Sequence, residues 1–194
     1  MNEIPREFSD KSARETAAFI RSLKGESERA AVVLGVAKLD TLLELLLKRS
    51  LTPCAGGRDD LFDTDRPLGT FSAKIAISYR LGLIDKDFEY ALQALRRIRN
   101  SFAHSIENET LSKASHHDRI FEVKKILSGY EQLGTSGQSL QPVNLKIGKD
   151  LNDFCAILMV LIIGLDIAAH ISEPVKPSRT FRLRVDEPTR SKTD

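Results

Sequence analysis

The run from Phe154 to Leu165 constrains this chain more than any other stretch: among its twelve residues, only Gly164 is not apolar. A helix that is apolar all round belongs either in a bilayer or in the middle of a protein. At about 1.5 Å of rise per residue, twelve residues fall well short of a hydrocarbon core roughly 30 Å thick. Asp166 and His170 then interrupt the run. It predicts a helix over Lys149–Ser172 at the centre of a helical bundle or at a dimer interface, with no membrane span.

The rest of the chain supplies helices to surround it. A first helix is expected after Ser9 or Asp10, either of which can cap its opening N–H groups, running to Gly25. A second, over 26–51, places Val32, Val33, Val36, Leu39, Leu42, Leu43, Leu46 and Leu47 at spacings of three and four, the mark of one buried face. Pro53 and Gly56-Gly57 stop it, and residues 52–69 read as a connector pinned by Leu61-Phe62. Thr70 caps a third helix carrying Phe71, Ile75, Ile77, Tyr79 and Leu81, which breaks at Gly82. Asp85 caps a fourth, reaching about Ala103, with Phe88, Leu92, Leu95, Ile98 and Phe102 as its stripe. A fifth is expected after Ser115, where Asp118, in place of Glu, resembles the second half of a capping box, and it carries Ile120, Phe121, Val123, Ile126 and Leu127. Residues 129–148 read as a loop. Only Thr180–Val185 alternates even weakly in the manner of a strand.

The expectation is therefore all-α: a single helical-bundle domain of about six helices over 9–172, after a loose leader at 1–8. A disordered, Pro- and charge-rich tail is expected over 173–194. At 194 residues the chain is long enough to bury a sizeable core. Charge separates tail from body. Of 29 basic and 27 acidic residues, six and four lie from Glu173 onward, leaving 23 of each sign in residues 1–172. A neutral body lacks the electrostatic footprint of a dedicated DNA-binding domain. Cys54 and Cys155 stand alone, and the polar start MNEIPREFSD has no signal-peptide pattern. Both cysteines read as reduced thiols of a cytoplasmic protein.

Few residues suggest chemistry. His116, His117 and Asp118 are consecutive, so on a helix they fan out at about 100° each and cannot share one metal ion. No paired Cys/His spacing and no phosphate-binding glycine loop is present, so no metal or cofactor is expected. What remains is Arg99-Asn100-Ser101-Phe102-Ala103-His104 at the end of the fourth helix. Structurally, cations there complement the negative end of the helix dipole. Chemically, His104 can move a proton at neutral pH, Arg99 can stabilise charge on phosphoryl oxygens, and Asn100 can orient either. Arg99 and His104 lie about 140° apart on an unbroken helix, so convergence needs a frayed last turn or a second protomer. Both readings stand on the residues alone.

Two resemblances bear on the same stretch. Pro67–Ile75 (PLGTFSAKI), Tyr79–Ile84 (YRLGLI) and the IRxIRNxFAH pattern ending at His104 resemble the mannitol operon repressor-like family of bacterial regulators. With a weaker match in the leucine-rich helix, the likeness covers roughly residues 26–130. It implies a helical homodimeric transcriptional regulator without a helix-turn-helix, acting through another protein rather than by specific DNA binding. Arg99-Asn100-x-x-x-His104 also resembles the Arg-polar-x(3–5)-His motif of HEPN domains. Many of these are dimeric, metal-independent RNases that carry the motif at a dimer cleft. That likeness implies an RNA partner, with Arg99, Asn100 and His104 catalytic.

Overall fold

The computed structural model describes residues 6–54, 56, 59–105, 109–128 and 148–175. Six helices follow one another: α1 (Arg6–Ser22), α2 (Glu28–Ser50), α3 (Phe71–Arg80), α4 (Lys86–His104), α5 (Ala114–Leu127) and α6 (Lys149–Ile171). A 3-10 turn, Leu23–Gly25, joins α1 to α2, and no strand occurs among the described residues. The expected loop at 129–147 and the weak alternation at 180–185 lie outside them.

Local chemistry sets most helix starts. Ser27 Oγ accepts from Ala30 N–H, Thr70 Oγ1 from Ala73 N–H and Asp85 Oδ1 from Phe88 N–H, so α2, α3 and α4 each open on a side-chain cap. Two starts differ from expectation. The first helix begins at Arg6, upstream of Ser9 and Asp10, and its Phe8 ring stacks on His170 with centroids 3.7 Å apart. That tertiary contact ties the extra turn to α6. The fifth helix begins at Ala114 without a side-chain cap, so Ser115 lies inside the first turn and the capping box does not form. Gly82, at φ 71°, takes the left-handed backbone conformation that ends the α3 turn.

The apolar run does form the central element. By length and composition α6 is apolar enough to cross a bilayer, yet Phe154, Leu158, Leu161 and Leu165 are fully enclosed by the bundle. It packs against α1, α2 and α5, and most closely against α2. Gly35 allows that approach: a Cβ there would lie 2.4 Å from Leu158 Cδ1. Contacts between Gly35 and Leu158 near one end, and Arg49 and Ala169 near the other, make α2 and α6 run parallel. Helix α4 runs against α2, with Arg29 of α2 reaching the carbonyl oxygens of Phe102 and Ser105.

Val33, assigned to the buried face of α2, points outward at 38% exposed, and so do Tyr79 (43%) of α3 and Phe121 (63%) of α5. Helix α3 buries Phe71, Lys74, Ile75 and Ser78, a face with two polar members. The 52–69 connector is pinned as expected: Phe62 is buried beneath Lys48, whose Nζ sits 5.0 Å from the ring centroid. Gly69 closes it where a Cβ would lie 2.3 Å from the Asp63 carbonyl oxygen. The segment expected to be a disordered tail begins against the bundle, because Val175 N–H donates to Ser50 O at 2.7 Å. Residues 176–194 lie outside the described part.

Lys74, only 5% exposed, ties α3 to α2 through Glu44 Oε2 at 2.7 Å and Asp40 Oδ1 at 2.9 Å. Burial works to lower the Lys74 pKa, but the bonds to Glu44 and Asp40 hold it above the usual lysine value. Burial likewise works to raise Glu44, and Lys48 and Lys74 overcome it, holding its carboxyl below the usual value. Glu44 contributes stability above its ordinary 4.5 and loses it in acid; Lys74 contributes below its ordinary 10.5 and loses it in alkali. Lys74→Ala is expected to destabilise by less than the roughly 3–5 kcal/mol of a fully buried pair, because Asp40 and Glu44 remain partly solvated. Urea unfolding at pH 7 measures the loss. A loss under about 0.5 kcal/mol, the scale of ordinary surface substitutions, contradicts a stabilising triad.

Candidate functional site

The end of α4 carries the residues the sequence singles out. The helix is regular through His104, and the Ser105 N–H bonds back to the Ser101 carbonyl. No frayed turn swings His104 round, so Arg99 and His104 stay about 140° apart within one chain. Arg99 lies on the half-buried flank and donates from Nη1 to Asn100 Oδ1 at 3.1 Å. His104 is exposed, and Asn100 shares its face one turn earlier. The chain thus brings Asn100 together with Arg99 and with His104 separately, and does not bring Arg99 to His104.

A longer row on that face was legible in the spacing and was missed. Gln93, Arg97, Asn100 and His104 are separated by four, three and four residues, which confines them to an arc of about 60°. Arg97 is exposed, and Arg96 at the edge of the arc is held by its Nε donating to Gln93 Oε1 at 2.9 Å. No described carboxylate forms an ion pair with Arg96, Arg97 or Arg99. Toward the start of α4 the row meets Tyr90, whose hydroxyl donates to Glu122 of α5. That bond, helped by burial, holds the Tyr90 pKa above its usual value.

Two polar clamps fix this helix end. On one side the Arg29 guanidinium donates to the carbonyl oxygens of Phe102 and Ser105, while Glu28 Oε2 accepts from Leu111 N–H at 2.8 Å. The terminal carbonyls of α4 therefore face a cation. On the other side Glu109, 6% exposed, gathers three donors: Ser101 Oγ at 3.0 Å, Lys113 Nζ at 3.2 Å and His116 Nε2 at 2.6 Å. An ionised carboxylate only accepts, so Nε2 carries the imidazole proton in that bond. The His116 bond foremost, then Ser101 and Lys113, pull the Glu109 pKa down from 4.5 to about 2. His116 is 2% exposed, tilted against Phe102, and its Nδ1 has no hydrogen-bond partner among the described residues.

The neighbouring His117 turns away, its Nδ1 2.7 Å from Asp150 Oδ1 on α6. The two histidines thus serve different helices, and among the described residues no three His, Cys, Asp or Glu side chains cluster as metal ligands. Cys155 is buried, which pushes its thiol up to about 11, and Cys54 is exposed on the 52–69 connector. No protein-family model, no curated protein and no solved structure matches this chain.

Glu109 contributes stability above the ordinary carboxylate value of 4.5, and that contribution disappears as the pH falls toward about 2. Thermal unfolding followed across that window should therefore fall less steeply for Glu109→Gln than for the wild type. Parallel curves would show that the Ser101–Glu109–His116 cluster does not stabilise the fold.

Proposed function

We propose that the α4 face ending in His104 handles a phosphodiester of RNA, as an endoribonuclease of HEPN-like type. The observation that carries this is that no described carboxylate forms an ion pair with Arg96, Arg97 or Arg99, while His104 is open to solvent on the same helix. A purely structural Arg99 and His104 would be expected to tie into carboxylate and backbone. In the reaction, His104 takes the proton from a ribose 2′-hydroxyl as its oxygen attacks phosphorus. The bond to the 5′-oxygen breaks, leaving a 2′,3′-cyclic phosphate, and the departing oxygen takes a proton from an imidazolium or from water. Guanidinium groups stabilise the phosphoryl oxygens, and no metal is required. If Arg99 is the arginine of the HEPN-like motif, it must act with His104 of a second copy, which makes a homodimer part of this reading.

The regulator reading, that of a mannitol operon repressor-like protein working through another protein, draws on a different surface. Val33 (38% exposed), Leu34 (47%) and Leu45 (36%) put exposed apolar side chains among Lys38, Thr41 and Lys48 on the outer side of α2, on a body with 23 charges of each sign. Such a surface suits a protein partner better than duplex DNA.

His104→Ala should reduce RNA cleavage by at least the 10²-fold typical of a lost proton-transfer group, and leave thermal stability nearly unchanged because the ring packs on nothing described. Excess EDTA should not slow the wild type. Nuclease-free wild-type protein that leaves RNA intact contradicts the enzyme reading. Separately, sedimentation equilibrium at micromolar concentration is expected to return twice the chain mass of 21.6 kDa; a monomer mass removes the shared-site arrangement of Arg99 and His104.

A further inference from the structure

The row on α4 has a direction. Arg97 precedes His104 by seven residues, about 10.5 Å along the axis, and helical side chains lean toward the N-terminus. Arg97 therefore leans away from His104 and cannot serve the same phosphate at close range. Arg96 is drawn toward the row by its bond to Gln93, so both arginines stem from the turn about two turns upstream of the imidazole. Past them the row stops at Tyr90, where the Glu122 carboxylate makes the surface unfavourable to phosphate. A helix C-terminus is ordinarily unfavourable too, because its carbonyl ends carry negative charge. Here Arg29 covers the Phe102 and Ser105 carbonyl oxygens and offsets that charge.

We infer that a single strand of RNA lies along the solvent face of α4 from Gln93 to His104, with Arg96 and Arg97 holding phosphates adjacent to the one cleaved at Asn100 and His104. This rests on the phosphodiester reading of His104. Single-stranded RNA is the occupant because the row spans only about 16 Å and offers two cations, far fewer than the 6–10 phosphate contacts typical of duplex binding. Gln93 and Asn100 supply amides for sugar or base edges. Arg96 and Arg97 are binding residues on this account, so their loss raises KM more than it lowers kcat.

The test is fluorescence anisotropy with a labelled ten-nucleotide oligouridine and a same-length RNA duplex, titrated across salt. The wild type should prefer the single strand. Arg97→Ala should reduce the magnitude of the slope of log K against log salt by about 0.7, and Arg96→Ala with Arg97→Ala by about 1.4, one phosphate contact each. Lys38→Ala, an exposed charge on α2, should leave the slope unchanged. If the wild type binds and cleaves but the arginine variants keep its affinity and slope, the strand runs elsewhere and only the His104 reading survives. If the arginine variants lose binding but the wild type never cleaves, the track stands and the His104 chemistry falls. A wild type that binds no single strand at about 50 mM salt overturns both.

Discussion

Everything else in this fold depends on α2 lying close along α6. Leu39, Leu43 and Leu46 of α2 and Leu158, Leu161 and Leu165 of α6 are all fully buried where the two helices pack, and Gly35 makes room for Leu158, which an added Cβ would force to shift. Two such apolar helices can be partnered only by each other and by amphipathic neighbours. Helices α1, α3, α4 and α5 fill that role, each burying one side and leaving the other to water. The α4 row is exposed for this reason: its opposite side, Phe88 through Phe102, is fully used by the core.

Polar contacts then fix what hydrophobic burial leaves loose. Apolar packing is non-directional and tolerates sliding of one helix along another. Lys74 between Asp40 and Glu44 sets the register of α3 on α2, and Glu28 with Arg29 sets the end of α4 against the start of α2. Glu109 does the same for α4 and α5 through Ser101 and His116. Each is a charged group reaching across a helix junction, with Lys74 and Glu109 the most shielded from water. His116 Nδ1, which has no hydrogen-bond partner among the described residues, is a cost the third cluster carries for placing an imidazole in the core.

Sequence periodicity made the helices legible because the core demands a 3.6-residue repeat, and the caps at Thr70 and Asp85 are local chemistry visible three residues ahead. Val33, Tyr79 and Phe121 are apolar residues one position off the buried arc, and composition alone does not reveal which side of a crowded apolar helix faces in. The start of α1 was set by Phe8 meeting His170, residues 162 positions apart, which no local rule can anticipate. Lys74 and Glu109 escaped notice because their partners arrive from other helices. At the site, Arg99, Asn100 and His104 were found as a short motif, whereas the row through Gln93 and Arg97 requires laying the helix out as a surface.

The bond from Val175 to Ser50 gives the molecule two distinct poles. Arg29 and the end of α4 lie at one end of α2, and Ser50 at the other, about 30 Å away along the helix axis. The chain leaves the described bundle at that second pole, immediately before a stretch holding six of its basic residues. A partner that grips the described chain at Val175 therefore sits about 30 Å along the helix axis from the end of α4. On the described bundle, a contact at Val175 and a ligand at His104 use separate surfaces.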